Sequence, residues 1–422
     1  MTFKTITLFI LFSGNLIANS SIKEELENLD GIIVSKINTE DNFSECFKIF
    51  VKQPIDHSDT TKGYFYQKVY LSHRSTERPI VMKINGYISY SNQISAWTKV
   101  LDANQIFIEH RYFGESTPDT LDYNYLNLSN AAKDFHRIRE LFSQIYTNGW
   151  VSLGHSKGGL TALSYRYFFP DDVDATIALS TSVKTSKCDS SFFNYIDSLN
   201  YAQGCKAELE TFQETLLTRR EEILPHLETY LLNNGKQYSR LGLIAIYEIA
   251  VLEIPFAIWQ NRNGCSSIKL NQTDPKGLFD AMKASLHGWF MSDEVFESLD
   301  SYHYQAMTEL GFYCYPLKRY SKLLETDFDK LTPVQAVLGI ETTYSNLLMT
   351  EIKEWAETSG NQILYVSGGN DPYSKYRITP DNNLDSKSIL LKGYNHNQVF
   401  INHLDSQTRD EVTDIVNKWI TQ

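Results

Sequence analysis

The chain has 422 residues, enough for one large domain with an insertion or for two domains. Its net charge of −12 argues against nucleic acid as a partner and against electrostatic docking on anionic lipid. The five cysteines (Cys46, Cys188, Cys205, Cys265 and Cys314) include no C-x-x-C pair, so zinc-knuckle and thioredoxin-like sites are unsupported, and no metal or cofactor is expected.

Met1 to Lys4 carries one basic residue, Thr5 to Ile17 is a short apolar run, and Ala18-Asn-Ser20 gives it a small-x-small end. That pattern reads as a secretory signal peptide over residues 1–20, too short and too interrupted for a membrane span. No later segment runs long enough without charges to span one, so the mature protein is expected to be soluble, without integral membrane association. Export to a periplasm or the extracellular space permits disulfides. Cys188 with Cys205 is the expected pair because they flank one short segment, and at least one cysteine must remain outside a pair.

Residues 21–42 are mixed and polar, with no clear element. Aromatic and branched residues predict strands over Phe43 to Val51 and Gly63 to His73, joined by the turn-rich Gln53 to His57. Further strands are predicted at Arg78 to Gly86 and Gln105 to His110. A helix should follow Leu128, with Ser129 as its cap and Ala132, Phe135, Ile138, Leu141 and Phe142 on its apolar face. Another strand is expected at Val173 to Ser180. This alternation predicts a mostly parallel sheet covered on both faces.

Between the last two strands lies Trp150-Val-Ser-Leu-Gly-His-Ser-Lys-Gly-Gly159, followed by the helical run Leu160 to Tyr167, which ends before Pro170. An apolar strand, a G-x-S-x-G turn and a helix make a nucleophile elbow, with Ser156 at the turn. The strained turn exposes the hydroxyl, and Gly154 and Gly158 relieve the crowding between strand and helix. The amide of Lys157 can then point at a developing oxyanion. A plain Gly/Ser turn is the competing interpretation.

From about Thr185 to Leu348 the sequence reads mainly as amphipathic helix: Asn200 to Tyr230, Ser239 to Gln260, Pro275 to Leu286, Asp293 to Leu310, and Pro333 to Ala356. Strands resume at Asn361 to Gly368 and Ser388 to Gly393, and a last helix occupies Gln398 to Ile420. The helical stretch reads as a cap, residues 185–348, inserted after the sixth strand and placed over the carboxyl edge of an α/β sheet formed by residues 21–184 and 349–422.

A serine nucleophile needs a base and an orienting carboxylate, which in this architecture follow in the order Ser, Asp, His on loops after the final strands. Asp371 follows the Ile363 to Ser367 strand, and His396 follows the Ile389 to Lys392 strand. Asn370 competes with Asp371, but an amide does not stabilise an imidazolium as a carboxylate does. His155 competes with His396 and reads as a wall of the elbow. Gly86 or Tyr87, in the loop after an earlier strand, would supply the second oxyanion amide beside that of Lys157.

Glu109-His-Arg-Tyr-Phe-Gly114 is dense in ionisable groups. Metal binding by Glu109 and His110 is disfavoured, because adjacent strand residues point oppositely and no third ligand is apparent. Glu109 and Arg111 read instead as an ionic network bracing the strand end, or Glu109 as the receiver of a substrate ammonium. The Lys157 side chain has a bland interpretation too, as an anchor of the elbow to a carboxylate.

Gly154-His-Ser-Lys-Gly-Gly-Leu-Thr-Ala162 and Tyr165-Arg-Tyr-Phe-Phe-Pro-Asp-Asp-Val-Asp-Ala175 resemble the secreted tripeptidyl and tetrapeptidyl aminopeptidases of serine peptidase family S37, of PS-10 type. Glu109-His-Arg-Tyr-Phe-Gly-Glu-Ser116 is similar both to that family and, more distantly, to the S28 prolyl carboxypeptidase and dipeptidyl peptidase family. The resemblance implies an α/β hydrolase with a helical cap that releases short peptides from a free amino terminus, often after proline. Its catalytic positions fall on Ser156, Asp371 and His396. Gly393-Tyr-Asn-His-Asn397 departs from the His-Gly form associated with the family. Cap carboxylates would meet the substrate ammonium, with Glu208, Glu210, Glu214, Glu248 and Glu253 as candidates. An esterase or lipase using the same triad is the alternative. A non-enzymatic binding protein on a hydrolase scaffold is a third reading, which a missing triad member would have favoured.

Overall fold

Strand β4 (Ile80–Ile84) shows why this chain forms a two-sided sheet. Ile80, Met82 and Ile84 join one buried apolar cluster and Val81 joins another, so both faces of the strand are covered. The computed structural model describes residues 21–39, 42–262, 264–328 and 340–421, so the expected signal peptide lies outside the described residues. One nine-stranded sheet runs in the order β1-β2-β3-β5-β4-β6-β7-β8-β9. Its remaining strands are β1 (Ile32–Ile37), β2 (Glu45–Pro54), β3 (Tyr64–His73), β5 (Asn104–Ile108), β6 (Trp150–His155), β7 (Ala175–Leu179), β8 (Ile363–Gly368) and β9 (Lys387–Leu391). The pairings from β1 to β5 are antiparallel, and those from β5 through β4, β6, β7 and β8 to β9 are parallel. This is the α/β-hydrolase fold.

Strand order reverses around β4, since β5 lies on one side of it and β6 on the other. Ligands in open α/β sheets bind outside the carboxyl ends of strands at such a switch point. Helices α3 (Leu128–Phe142) and α4 (Lys157–Phe168) cover one face, and α2 (Ala96–Val100) and the C-terminal helix the other. The polar start of the described chain also folds: Ser21 caps a short helix, α1 (Ile22–Glu27), and β1 follows. The exposed face of β1 dilutes its apolar signal, as expected of an edge strand. The cap therefore follows the seventh strand, not the sixth.

The cap is built from α5 (Phe192–Ala202), α6 (Lys206–Thr218), α7 (Arg220–Asn233), α8 (Leu243–Asn261), α9 (Pro275–Ser285), α10 (Asp293–Gln305) and α11 (Leu317–Tyr320), around an apolar core of its own. The stretch expected as one helix from Asn200 to Tyr230 is broken at Gly204 and Arg219. Of the helix expected from Pro333 to Ala356, the part from Leu347 forms α12 (Leu347–Thr358), residues 340–346 are not helical, and residues 333–339 lie outside the described residues. The final helix, α13 (Ser406–Ile420), starts where the Asp405 side chain accepts from the Thr408 amide. Asn127, two residues before the expected Ser129, caps α3 by accepting from the Asn130 amide at 2.8 Å.

The 19-residue helix α8 is long and apolar enough to cross a membrane by length and composition, contrary to expectation, but 78% of its apolar window is buried inside the protein. It is the central helix of the cap core. The disulfides also differ from expectation. Cys188 pairs with Cys314 and Cys205 with Cys265, while Cys46 is a buried free thiol. Chain proximity favoured Cys188–Cys205, but helical packing brings together cysteines 126 and 60 residues apart.

Candidate active site

Ser156 sits between β6 and α4 with φ 57° and ψ −125°, a conformation that costs a non-glycine residue about 1–3 kcal/mol. Its amide donates to the Leu179 carbonyl at 2.8 Å, and its carbonyl accepts from the Leu160 amide at 3.0 Å, so strand and helix both hold the turn. A side chain at Gly154 would clash with the Gly158 carbonyl, and one at Gly158 would lie 2.7 Å from the Ile84 carbonyl. Only glycines allow the strand and helix to approach this closely.

Asp371 leaves the end of β8 fully buried, and its Oδ1 accepts from the Tyr373 amide at 2.9 Å. Its Oδ2 lies 2.7 Å from His396 Nδ1. A carboxylate acceptor requires that Nδ1 carry the proton, which leaves Nε2 as the basic nitrogen. The His396 carbonyl is held by His155 Nε2 at 2.9 Å and by Ser180 Oγ at 3.1 Å. His155 thus clamps the histidine loop, with its ring against His396 and Phe400, each at 4.8 Å. Burial, and then the neighbouring His396, push the His155 pKa down to about 4. Asn370 instead donates to the Gly393 carbonyl.

Gly86 packs directly on the elbow: a Cβ there would lie 2.6 Å from the Gly158 nitrogen and 2.8 Å from Lys157 Cβ. Among the described residues the Lys157 side chain forms no ion pair with a carboxylate. Its ammonium donates to the Gly86 carbonyl at 2.7 Å and lies over the rings of Phe113 and Tyr87 at 4.9 and 5.4 Å. Burial pushes its pKa down to about 7, with Glu309 opposing that shift.

Glu109 and Arg111 belong to two networks rather than one. The fully buried Glu109 carboxylate accepts from Lys68 Nζ, the Ser89 amide, and the Ser116 amide and hydroxyl, all within 3.0 Å. With those donors around it, Glu109 is closed to a substrate ammonium. Arg111 forms a bidentate pair with Asp134 at 2.7 and 2.9 Å and donates to the carbonyls of Pro54, Ile55 and Tyr125. Both groups brace the end of β5. His110 is buried with Nδ1 against the Arg111 carbonyl, and no metal-type cluster occurs among the described residues.

Between sheet and cap lies a mostly apolar cavity of about 560 Å³, lined by Ser156, Lys157 and Tyr87 from the hydrolase side. Of the five candidate cap carboxylates, only Glu253 lines it. Tyr313 and Tyr315 donate to Glu253 Oε1 at 2.8 and 2.5 Å, and burial raises the pKa of the carboxyl. Glu248 is buried elsewhere, accepting from Arg220 and from the amides of Glu325 and Thr326. Glu208 and Glu214 are exposed, and Glu210 pairs with Lys206 and Arg319.

No motif or spacing pointed to the cap residues Tyr302, His303 and Tyr313, which line the same cavity. Tyr373 and Lys184 also line it, from the hydrolase segments. Their positions just beyond β8 and β7, at the carboxyl edge of the sheet, were the available signal.

The sequence profile of the family described as PS-10 peptidase S37 matches residues 18–421, and the chain belongs to that family. It is similar to a prolyl tri/tetrapeptidyl aminopeptidase of Streptomyces mobaraensis, 29% identical over 330 residues that cover 76% of this chain and 69% of the relative. It is also similar to the serine protease vicPb of Bipolaris victoriae, 27% identical over 38% of this chain and 34% of the relative. Among solved structures, a proline iminopeptidase of Mycobacterium smegmatis superposes with a TM-score of 0.42 at 10% identity, covering 88% of this chain and 99% of its own.

Proposed function

We propose that this member of the PS-10 peptidase S37 family is an exported serine exopeptidase that releases tri- or tetrapeptides, including after proline, from free peptide N-termini. The observation that carries the reading is one cavity lined both by Ser156 and by the half-buried carboxylate of Glu253. In this reading Ser156 Oγ attacks the scissile carbonyl while His396 Nε2 takes its proton, and Asp371 holds the imidazole tautomer and stabilises the imidazolium. The amide of Lys157, with that of Gly86 or Tyr87, receives the oxyanion. The leaving amine takes the proton from His396, and water then hydrolyses the acyl-enzyme by the same route. Glu253 Oε2, opposite the oxygen held by the two tyrosines, meets the substrate's terminal ammonium. The cap over the cavity limits the length of chain accepted on that side.

The activity for which the Streptomyces relative is named, that of a prolyl tri/tetrapeptidyl aminopeptidase, supports the peptide length and the proline preference. Residues 1–20 serve as the export signal, 185–348 as the cap, and 21–184 with 349–422 as the hydrolase domain. The test is a panel of free and N-acetylated di-, tri- and tetrapeptidyl anilides alongside short acyl esters, with Ser156→Ala as control. Cleavage of free tri- or tetrapeptidyl anilides, lost on acetylation, is expected. Ester hydrolysis far above any amide cleavage would favour an esterase, and equal rates for wild type and Ser156→Ala would refute a serine enzyme.

A further inference from the structure

One cation in the cavity has no acidic partner among the described residues. Lys184, five residues beyond β7, is only 6% exposed and lines the same cavity as Ser156 and Glu253. Its ammonium meets the Ser182 hydroxyl at a long 3.5 Å and lies 5.2 and 6.0 Å from the ring centroids of Tyr373 and Tyr376. None of the ion pairs among the described residues includes it. Burying an ammonium among aromatic rings is unfavourable unless a partner compensates. Lys187, three positions on, lines the cavity as well. Among the described residues the cavity wall carries one carboxylate, Glu253, and its Oε1 is already held by Tyr313 and Tyr315.

We infer that Lys184, supported by Lys187, forms a carboxylate-binding subsite inside the substrate cleft, distinct from the ammonium subsite at Glu253. This rests on the cleft being a peptide site, as proposed above. A peptide can offer a carboxylate from an Asp or Glu side chain, or from the C-terminus of a released or very short peptide. The weakly screened interior makes either one a strong partner for the Lys184 ammonium. Lys184 thereby selects for charge within the cleft, and the cation–π contact with Tyr373 holds the ammonium in place until a carboxylate arrives.

The test measures binding rather than turnover, so its failure is separable from failure of the peptidase reading. Ser156→Ala protein is titrated calorimetrically with alanine tripeptide amides carrying Glu or Gln at each position in turn. Trialanine is also compared as free acid and as amide. A side-chain source predicts that Glu binds at least about tenfold tighter than Gln at one position, and a terminal source predicts the same ratio of acid to amide. Either ratio should fall to near one when Lys184→Met is added. Charge-indifferent binding by Ser156→Ala alone, which needs no second substitution to fold, overturns the proposal. So does a preference that survives in Lys184→Met.

Discussion

The Lys157 ammonium donates to the Gly86 carbonyl at 2.7 Å, joining the residue after the proposed nucleophile, Ser156, to the loop expected to complete the oxyanion hole. Across a trans peptide the Gly86 C=O and the Tyr87 N–H point in opposite directions, so fixing one aims the other. Lys157→Met should keep the fold but release that peptide. A fall in kcat of about 10²-fold, with little change in KM, is expected from stopped assays of a free tripeptidyl anilide. An unchanged kcat would assign the contact to packing alone.

The 2.7 Å contact between Asp371 and His396 makes a second prediction. Asp371→Asn preserves size and one hydrogen bond but favours the wrong imidazole tautomer, and should lower kcat by about 10⁴-fold. Near-UV circular dichroism should remain native. Asn370→Asp in the same protein should not restore activity, because Asn370 faces the Gly393 carbonyl instead.

Glu253 is the cap carboxylate that lines the cavity, so Glu253→Gln should act on N-terminal recognition. Loss of about 10–100-fold in kcat/KM is expected for free N-termini, with no comparable loss for any residual cleavage of acetylated substrates. Equal losses on both would mean that Glu253 only supports Tyr313 and Tyr315.

His155 links stability to pH. Its pKa falls from an ordinary 6.5 to about 4 in the fold, so between those values the unfolded chain binds a proton that the folded chain refuses. Its contribution is present above about pH 6.5 and is lost as pH drops towards 4. His155→Gln, which keeps a donor for the His396 carbonyl, should lose less stability between pH 7 and 4.5. Urea midpoints of the two proteins at both values measure this, and identical pH slopes would contradict it.

The Cys188–Cys314 bridge closes a 126-residue separation across the cap, and both cysteines line the cavity. By the loop-entropy argument, replacing both with serine should cost up to about 5 kcal/mol of unfolding free energy. Removing it should also loosen the cavity wall and raise KM. Denaturant unfolding and steady-state kinetics of the double variant read the two effects separately.

Local chemistry made part of this molecule legible. Gly154, Ser156 and Gly158 announce the elbow because a strained turn between a strand and a helix needs glycines on both sides. Asp371 and His396 were legible because each directly follows an apolar run that forms a strand. Strand β1 was not, since an edge strand exposes half its side chains and loses the alternation that marks buried strands. Nor was the membrane-like length of α8 evident, because Glu248 and Glu253 interrupt a run whose packing hides the charges in the cap.

Read as a sequence, the chain yields its alternation of strands and helices and three candidate residues for a serine centre in the right order, which depend on short-range pattern: strand periodicity, turn chemistry and position at strand ends. The family was legible through the resemblance of whole motifs, Gly154 to Ala162 and Tyr165 to Ala175. Tertiary structure alone decided the cysteine pairing, the partner of Lys157, and the selection of Glu253 from five cap carboxylates. It also decided the burial of Lys184 in the cavity that Ser156 lines. Each of these depends on which helix faces lie against one another across scores of residues, and an amphipathic pattern shows that a helix has a buried face without showing what it meets there.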